Sequence, residues 1–415
     1  MSEKSPELLE KIKLFSEFLS TSKVKHNLRS LGTFNEFKKI YDVERTEHKK
    51  DNSADIVARA LHRGIEENLL SKEDLDELLF RLMEDSLMNA FLYRLSSDAP
   101  ADAESARRSF NLPSEIKIVE NVYSEANKDF VICGYRVTED DTDIENVRIL
   151  LIDKKPVDIF RKNESNTKVV FPTVIELDYR RKLLHIRSRE VDNIISSEGK
   201  VSKMSERIQN TLDFIISGLS TSLSFTELSS FKKTLFLLEE NLLADKRALA
   251  YQKVESLSSE IDDFTNLIIK KINPPTTQIT PKEYISSGVL SIVATTLSDS
   301  DVGEVIGIKF RNNNEQSEYA EVTIKDTGNR CISTSNLYWI NLTVLLSVES
   351  IEFLKIVPYL ETGSSIVNLE FTLGTANIKL LKRKVDDDGD IPNQDKYDDV
   401  ITFITQFIDT DENNK

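Results

Sequence analysis

The sequence predicts an α+β protein of successive modules: an N-terminal helical bundle, an antiparallel β-rich module, a long helical segment and a C-terminal α+β module. Three observations predict it. Apolar residues recur at three- and four-residue spacing up to about residue 96 and again over 201–272, the period of a helix with one buried face. Between these stretches, and again after residue 280, apolar residues alternate or run together in short β-branched segments bounded by turn residues, as strands do. The length of 415 residues also exceeds the roughly 100–200 residues of an ordinary domain.

In the first module, residues 1–96, Pro6 stands at a first-turn position and Leu8, Leu9, Ile12, Phe15, Phe18 and Leu19 mark one helical face. Stretches 34–41 and 54–69 continue the period, and Ser71-Lys72-Glu73-Asp74 resembles a capping box opening a helix through Leu75, Leu78, Leu79, Leu82 and Leu87. A helix-turn-helix over 53–87 would present Glu73, Asp74, Asp76, Glu77, Glu84 and Asp85 from its second helix. Such a surface repels a phosphate backbone. Residues 97–112 read as a linker, since 96–106 is small, polar and contains Pro100.

The β-rich module, 113–194, has strand patterns at 116–122, 130–137, 147–152 and 157–160. The clearest local signal follows: apolar runs at 169–177 and 183–186 flank Asp178-Tyr179-Arg180-Arg181-Lys182, the pattern of a β-hairpin. Alternation sends Leu184 and Ile186 to a buried face and His185, Arg187 and Arg189 to a wet, basic one. No helix-length pattern interrupts these strands, which argues against a doubly wound nucleotide-binding fold.

Residues 195–273 read as a helical hairpin or coiled-coil-like segment. Met204, Ile208, Leu212, Ile215 and Leu219 form one stripe, Leu228, Phe231, Leu235, Leu238 and Leu242 a second, and Val254, Leu257, Ile261, Phe264 and Ile268 a third, out of phase with the second. With neither Gly nor Pro from Thr221 to Ile272, two arrangements stay open: one helix of roughly 70 Å with a stutter, or a reversal near Asp245-Lys246. In both, Leu228, Phe231, Leu235, Leu238, Leu242, Leu257, Ile261 and Phe264 supply an apolar seam for another copy or a protein partner.

Asn273-Pro274-Pro275 ends the helices, and 280–385 forms the α+β module. It is expected to hold strands at 289–297, 304–310 and 319–325, a loop at 311–315, a mixed stretch around Trp339, a helix over 350–359, and a hairpin of 366–373 with 378–382 about Gly374. Residues 386–415 form an acidic tail with a short helix at 400–408.

The net charge of −16 disfavours non-specific attraction to nucleic acid or anionic membrane. Half of it lies in the tail, where ten Asp or Glu face two Lys. Cys133 and Cys331 lie far apart in apolar context, without disulfide-framework or metal-ligand spacing, so a reducing cytoplasm is expected. The longest apolar run, about 340–348, falls short of the ~20 residues that span a bilayer, and no membrane partner is expected.

Chemistry-bearing motifs are scarce. Asp326-Thr327-Gly328 is the tripeptide that carries the catalytic Asp of aspartic proteases, but Lys325 precedes it and Asn329-Arg330 follow, and it reads as a turn. Asp386-Asp387-Asp388-Gly389-Asp390 resembles a calcium loop, yet Lys384 occupies the first ligand position. His26, His48, His62 and His185 have no metal spacing. Glu176, Asp178 and Lys182 lack the Glu-x-Lys pairing of a metal-dependent nuclease. No phosphate loop, nucleophile elbow or Cys-His pair is present, and no cofactor is expected.

These features favour a non-catalytic, multidomain interaction or adaptor protein that assembles with itself or a protein partner through its central helices. The alternative is a nucleic-acid-binding protein, or an accessory subunit of a nuclease or antiphage-defence system, that uses the basic hairpin residues Arg180, Arg181, Lys182, His185, Arg187 and Arg189.

Overall fold

The computed structural model describes residues 5–123, 129–140, 143–160, 167–191, 194–195, 202–219, 223–276, 279–294, 305–312, 320–326, 328, 330–381 and 392–408. The fold is α+β, and the chain divides into two units, Met1–Glu227 and Leu228–Lys415.

The first unit opens with helices α1 (Ser5–Lys13), α2 (Thr21–Leu31), α3 (Phe37–Glu47), α4 (Ser53–Glu66) and α5 (Lys72–Glu84). Their ends follow from local chemistry. Asn52 and Ser71 accept the backbone N–H groups of Asp55 and Asp74, each at 2.9 Å, and so cap α4 and α5. Gly32 stops α2 at φ 69°, a left-handed conformation that costs glycine little.

Helical periodicity extends to residue 96, yet strand β1 (Asn89–Leu95) begins soon after α5. It pairs antiparallel with β7 (below) and is buried on both faces. An apolar run buried on both faces has no alternation to distinguish it from a helix. Within the predicted linker, Asp102 caps α6 (Ala103–Ser109) at 2.6 Å from the Ser105 N–H, and Phe110 and Leu112 are buried. The strand expected at 116–122 is a series of turns instead. Ile118 and Val122 pack into the helical core, and the Val119 N–H donates to Asp76 Oδ1 at 3.0 Å rather than to a neighbouring strand.

Strands β2 (Phe130–Asp140), β3 (Asp143–Asp153), β4 (Val157–Ile159), β5 (Thr167–Val169), β6 (Pro172–Asp178), β7 (Leu183–Ser188) and β8 (Ile194–Ile195) follow. Then come α7 (Met204–Phe214), a π-helical turn at Ile215–Leu219 and β9 (Phe225–Glu227). The main sheet of this unit is antiparallel in the order β1-β7-β6-β3-β2, with β9 also on β1, while β5-β4-β8 form a small separate sheet. One face carries Val147, Ile149, Ile175, Leu177, Leu184 and Ile186 and meets α7 and the π turn. The other carries Leu150, Ile152 and Val174 and is covered by the N-terminal helices.

The second unit contains α8 (Phe231–Glu255), α9 (Ser258–Ile272), α10 (Pro281–Ala294), β10 (Val305–Asn312), β11 (Ala320–Lys325), α11 (Asn336–Val348), β12 (Phe353–Ile356), β13 (Tyr359–Leu360), β14 (Gly363–Ser364), β15 (Ile366–Thr372), β16 (Thr375–Leu381) and α12 (Gln394–Thr405). Its antiparallel sheet has the order β11-β10-β12-β15-β16. Helix α8 packs on β10, β12 and β15, and α10 packs against α8, α9 and α11. The predicted hairpin about Gly374 is present as β15 and β16.

Three expectations change here. The helix runs unbroken through Asp245-Lys246 and interrupts only at Ser256 and Leu257, so no reversal occurs at the earlier point. Residues 289–294 belong to a helix rather than a strand, because Thr280 and Glu283 form a capping box: the Thr280 N–H donates to Glu283 Oε2 at 2.6 Å and the Glu283 N–H to Thr280 Oγ1 at 3.3 Å. Residues 353–356 are a strand rather than a helix, since Leu354 and Ile356 enter the core between β10 and β15. The mixed stretch around Trp339 is α11, and the indole Nε1–H donates to the Ser333 carbonyl at 2.7 Å. The loop at 313–315, the calcium-like motif at 386–390 and the end of the acidic tail at 409–415 lie outside the described residues.

Candidate interaction surface

Strands β6 and β7 form the predicted hairpin, turning through Lys182 at φ 55°. Leu184 and Ile186 face the apolar core, as alternation requires. The opposite face is not wet: His185 is 1% and Arg187 0% exposed, because the end of α5 lies over them. Arg187 Nη1 donates to Glu176 Oε2 at 3.2 Å, its Nε to the Leu87 carbonyl at 3.0 Å and its Nη2 to the Glu84 carbonyl at 3.0 Å. The guanidinium thereby satisfies acceptors left over at a helix C-terminus.

Strand register extends this face into a charged row. Arg136 pairs with Arg148, Arg148 with Glu176 and Glu176 with His185 across β2, β3, β6 and β7. Glu84 of α5 descends onto it, 2.7 Å from Arg148 and 3.7 Å from Arg136. Burial pushes the Glu176 carboxyl up, but His185, Arg187, Arg148 and the Asn146 amide outweigh burial and bring it down to about 2. Burial also holds the His185 imidazole below its ordinary value, against the pull of Glu176 and Asp178. Glu176, His185 and Arg187 are closed to solvent, so this cluster holds α5 on the sheet and offers no substrate access.

The remaining basic residues of the hairpin are held locally. Arg180 lies 3.0 Å from Glu145 and Arg181 2.6 Å from Asp178. Arg189 lies 3.0 Å from Glu17 and stacks over Phe18. Lys182 is left as the exposed cation of the turn without an ion pair among the described residues. The charge expected to meet phosphate is therefore largely neutralised in place.

Other candidate chemistry resolves similarly. Asp326 Oδ1 accepts the N–H groups of Gly328 and Arg330, at 2.8 and 3.0 Å, and these hold its carboxyl below the usual range. The geometry is that of a turn. Burial pushes the Cys133 thiol up, which leaves it unreactive. Glu44, Glu47 and His48 bring ligand atoms within 4.8 Å of one another, but Glu44 already pairs with Arg63 at 3.1 Å. A cleft of about 560 Å³ beside α7 is lined by Lys154, Lys155, Lys168 and Lys203 and also by Asp129, Asp158 and Glu206, so its charges are mixed. Arg207, also in the lining, lies over the rings of Phe130 and Phe171 and pairs with Asp153.

The predicted apolar seam splits in two. Leu228, Phe231, Leu235 and Leu238 are interior, at most 2% exposed, Ile261 is buried, and Leu242 is half-buried, so this part of the seam is core rather than surface. A polar pin explains the orientation of α8. Arg247 donates to Glu239 at 2.6 Å and to the Tyr338 hydroxyl at 2.9 Å, and Tyr338 donates to Glu239 at 2.6 Å. The tie fixes α8 against α11. Sequence periodicity missed it because Glu239 and Arg247 look like ordinary surface charges.

Leu257 and Phe264 remain outside, 39% and 50% exposed. Other large apolar side chains of these helices are exposed as well: Leu267, Ile269 and Ile272 on α9, and Tyr284 and Ile292 on α10, are each at least 44% exposed, with Leu267 on the same side of α9 as Phe264, three residues away, and Ile269 on another. A groove of about 510 Å³ between α8, α9 and α10 is lined by Tyr251, Ile261 and Leu290. No protein-family model matches the sequence, and no match to it was found among curated proteins. Among the described residues, no helix is long and apolar enough to cross a membrane.

Proposed function

We propose that this chain is a non-catalytic assembly or adaptor protein that joins another polypeptide through the exposed stripe of α9. The observation that supports this is a pair of large apolar side chains in solvent on one side of α9: Phe264 and Leu267, three residues apart, are 50% and 44% exposed, and Leu257 just before the helix is 39% exposed. Clustered apolar exposure of this kind is disfavoured in a monomer and marks a surface that a partner covers. The acid and base groups that resemble a catalytic set, Glu176 and His185, are enclosed and serve packing. The nucleic-acid alternative retains little support once Arg180, Arg181, Arg187 and Arg189 are each paired with a carboxylate.

A photo-reactive phenylalanine analogue placed at position 267 tests the proposal in the cell that makes the protein. The expected result is a covalent adduct of defined mass that disappears when Phe264 is changed to Asp. Absence of any adduct, together with concentration-independent monomer mass in sedimentation, would overturn it.

A further inference from the structure

We propose that the partner at this surface is a second copy of the chain, with α9 pairing antiparallel to α9 about a two-fold axis; this rests on α9 being the assembly surface. On the exposed side of α9, Glu260, Phe264, Leu267 and Lys271 are all exposed and stand at spacings of four, three and four. Such spacings place them on one stripe of the helix. The stripe reads acid, apolar, apolar, base.

Turned end over end about a point between Thr265 and Asn266, the stripe meets its own complement. Glu260 faces the partner's Lys271, Phe264 faces the partner's Leu267, and the two-fold repeats both contacts. Asp263 and Lys270, also exposed, flank the stripe in the same sense. A two-fold interface must be self-complementary, and a parallel pairing would instead set Glu260 against Glu260 and Lys271 against Lys271. The charge order therefore selects the antiparallel arrangement. Asp262 is not needed for it, being held 2.6 Å from Lys282 of its own chain.

Charge exchange tests this on the full-length protein. Glu260→Lys and Lys271→Glu each place like charges at both ends of the pairing, and each is expected to weaken self-association by about tenfold or more while leaving the thermal melt of the monomer unchanged. Mixing the two variants restores opposite charges at both ends, so a dimer containing one copy of each is expected to form at close to wild-type affinity, read by mass spectrometry of differently labelled chains. A wild-type protein that stays monomeric, or variants that neither weaken association nor recover on mixing, would overturn the inference. An adduct from position 267 to a different protein, with no adduct between copies, would overturn it too while leaving the assembly function standing.

Discussion

Arg187 Nη1 meets Glu176 Oε2 at 3.2 Å inside the layer between sheet and helices, with both side chains at most 1% exposed. Removing either member takes from the other its buried charge partner, although Glu176 keeps the Asn146 amide and Arg187 the two carbonyls. Arg187→Ala is expected to destabilise the first unit by about 3–5 kcal/mol, because it takes from the buried Glu176 carboxylate its ion pair and from the Leu87 carbonyl its guanidinium donor, the Glu84 carbonyl keeping the Leu87 N–H. Urea unfolding of the full chain, followed by a probe in the first unit, measures it.

The same carboxylate sets an acid limit. Because its pKa is lowered in the folded state to about 2, Glu176 contributes stability that is present above its ordinary value and is lost as pH falls toward 2. Glu176→Gln is expected to be less stable than the wild type at neutral pH, with the gap narrowing below pH ~4. A gap that is constant from neutral pH down to acid would contradict the assignment.

Asp76 behaves in the opposite sense. Burial raises its carboxyl to about 6, although the N–H groups of Val119 and Ile118 oppose the shift. A raised pKa means that stability is greatest with the group protonated and is lost as pH rises through about 6. Asp76→Asn keeps an oxygen for the Val119 N–H without the charge. Its advantage over wild type is expected to grow by about 2–3 kcal/mol between pH ~4 and ~7, read as paired melting curves.

How much of this was legible in the sequence depends on where the burial came from. The β6–β7 hairpin, the β15–β16 hairpin and the capped start of α5 are local, and turn chemistry or a Ser71 cap announces them. Alternation also places Leu184 and His185 on opposite faces, as the structure does. What alternation cannot say is which layers will cover a face, so His185 and Arg187 looked wet until α5 lay over them. Glu176 was the available warning, a carboxylate in the midst of an apolar strand. Likewise, the stripe of Leu228, Phe231, Leu235 and Leu238 and that of Leu257 and Phe264 read alike, because periodicity records an apolar face without its destination. The missed capping box at Thr280 and Glu283 is different: the signal was present, and the apolar run that followed drew a strand assignment.

The two halves of the predicted seam are expected to respond differently to mutation. Leu235 is 0% exposed, and Leu235→Ala should cost about 2–5 kcal/mol of stability, whereas Phe264, 50% exposed, should tolerate Phe264→Ala within about 0.5 kcal/mol. Association should show the reverse order once destabilised protein is excluded. Paired denaturation and sedimentation on the two variants separate core from surface, and equal stability losses would show that Phe264 is packed in the free protein.

The Tyr338 hydroxyl tests whether α8 is held by its polar pin or by apolar packing alone. It accepts from Arg247 at 2.9 Å and donates to Glu239 at 2.6 Å, so Tyr338→Phe leaves a buried guanidinium nitrogen and a buried carboxylate oxygen each short of a partner. A loss of about 1–3 kcal/mol is expected, since unmade hydrogen bonds to charged groups cost more than the made ones contribute. Burial, with a smaller push from Glu240, raises the Glu239 carboxyl, and Arg247 and the Tyr338 hydroxyl hold that rise down. Losing the hydroxyl should raise it further and shift the loss of stability to higher pH than in the wild type. A Tyr338→Phe protein with unchanged stability and unchanged pH profile would show that the 2.6 Å contact between Arg247 and Glu239 suffices to orient the helix.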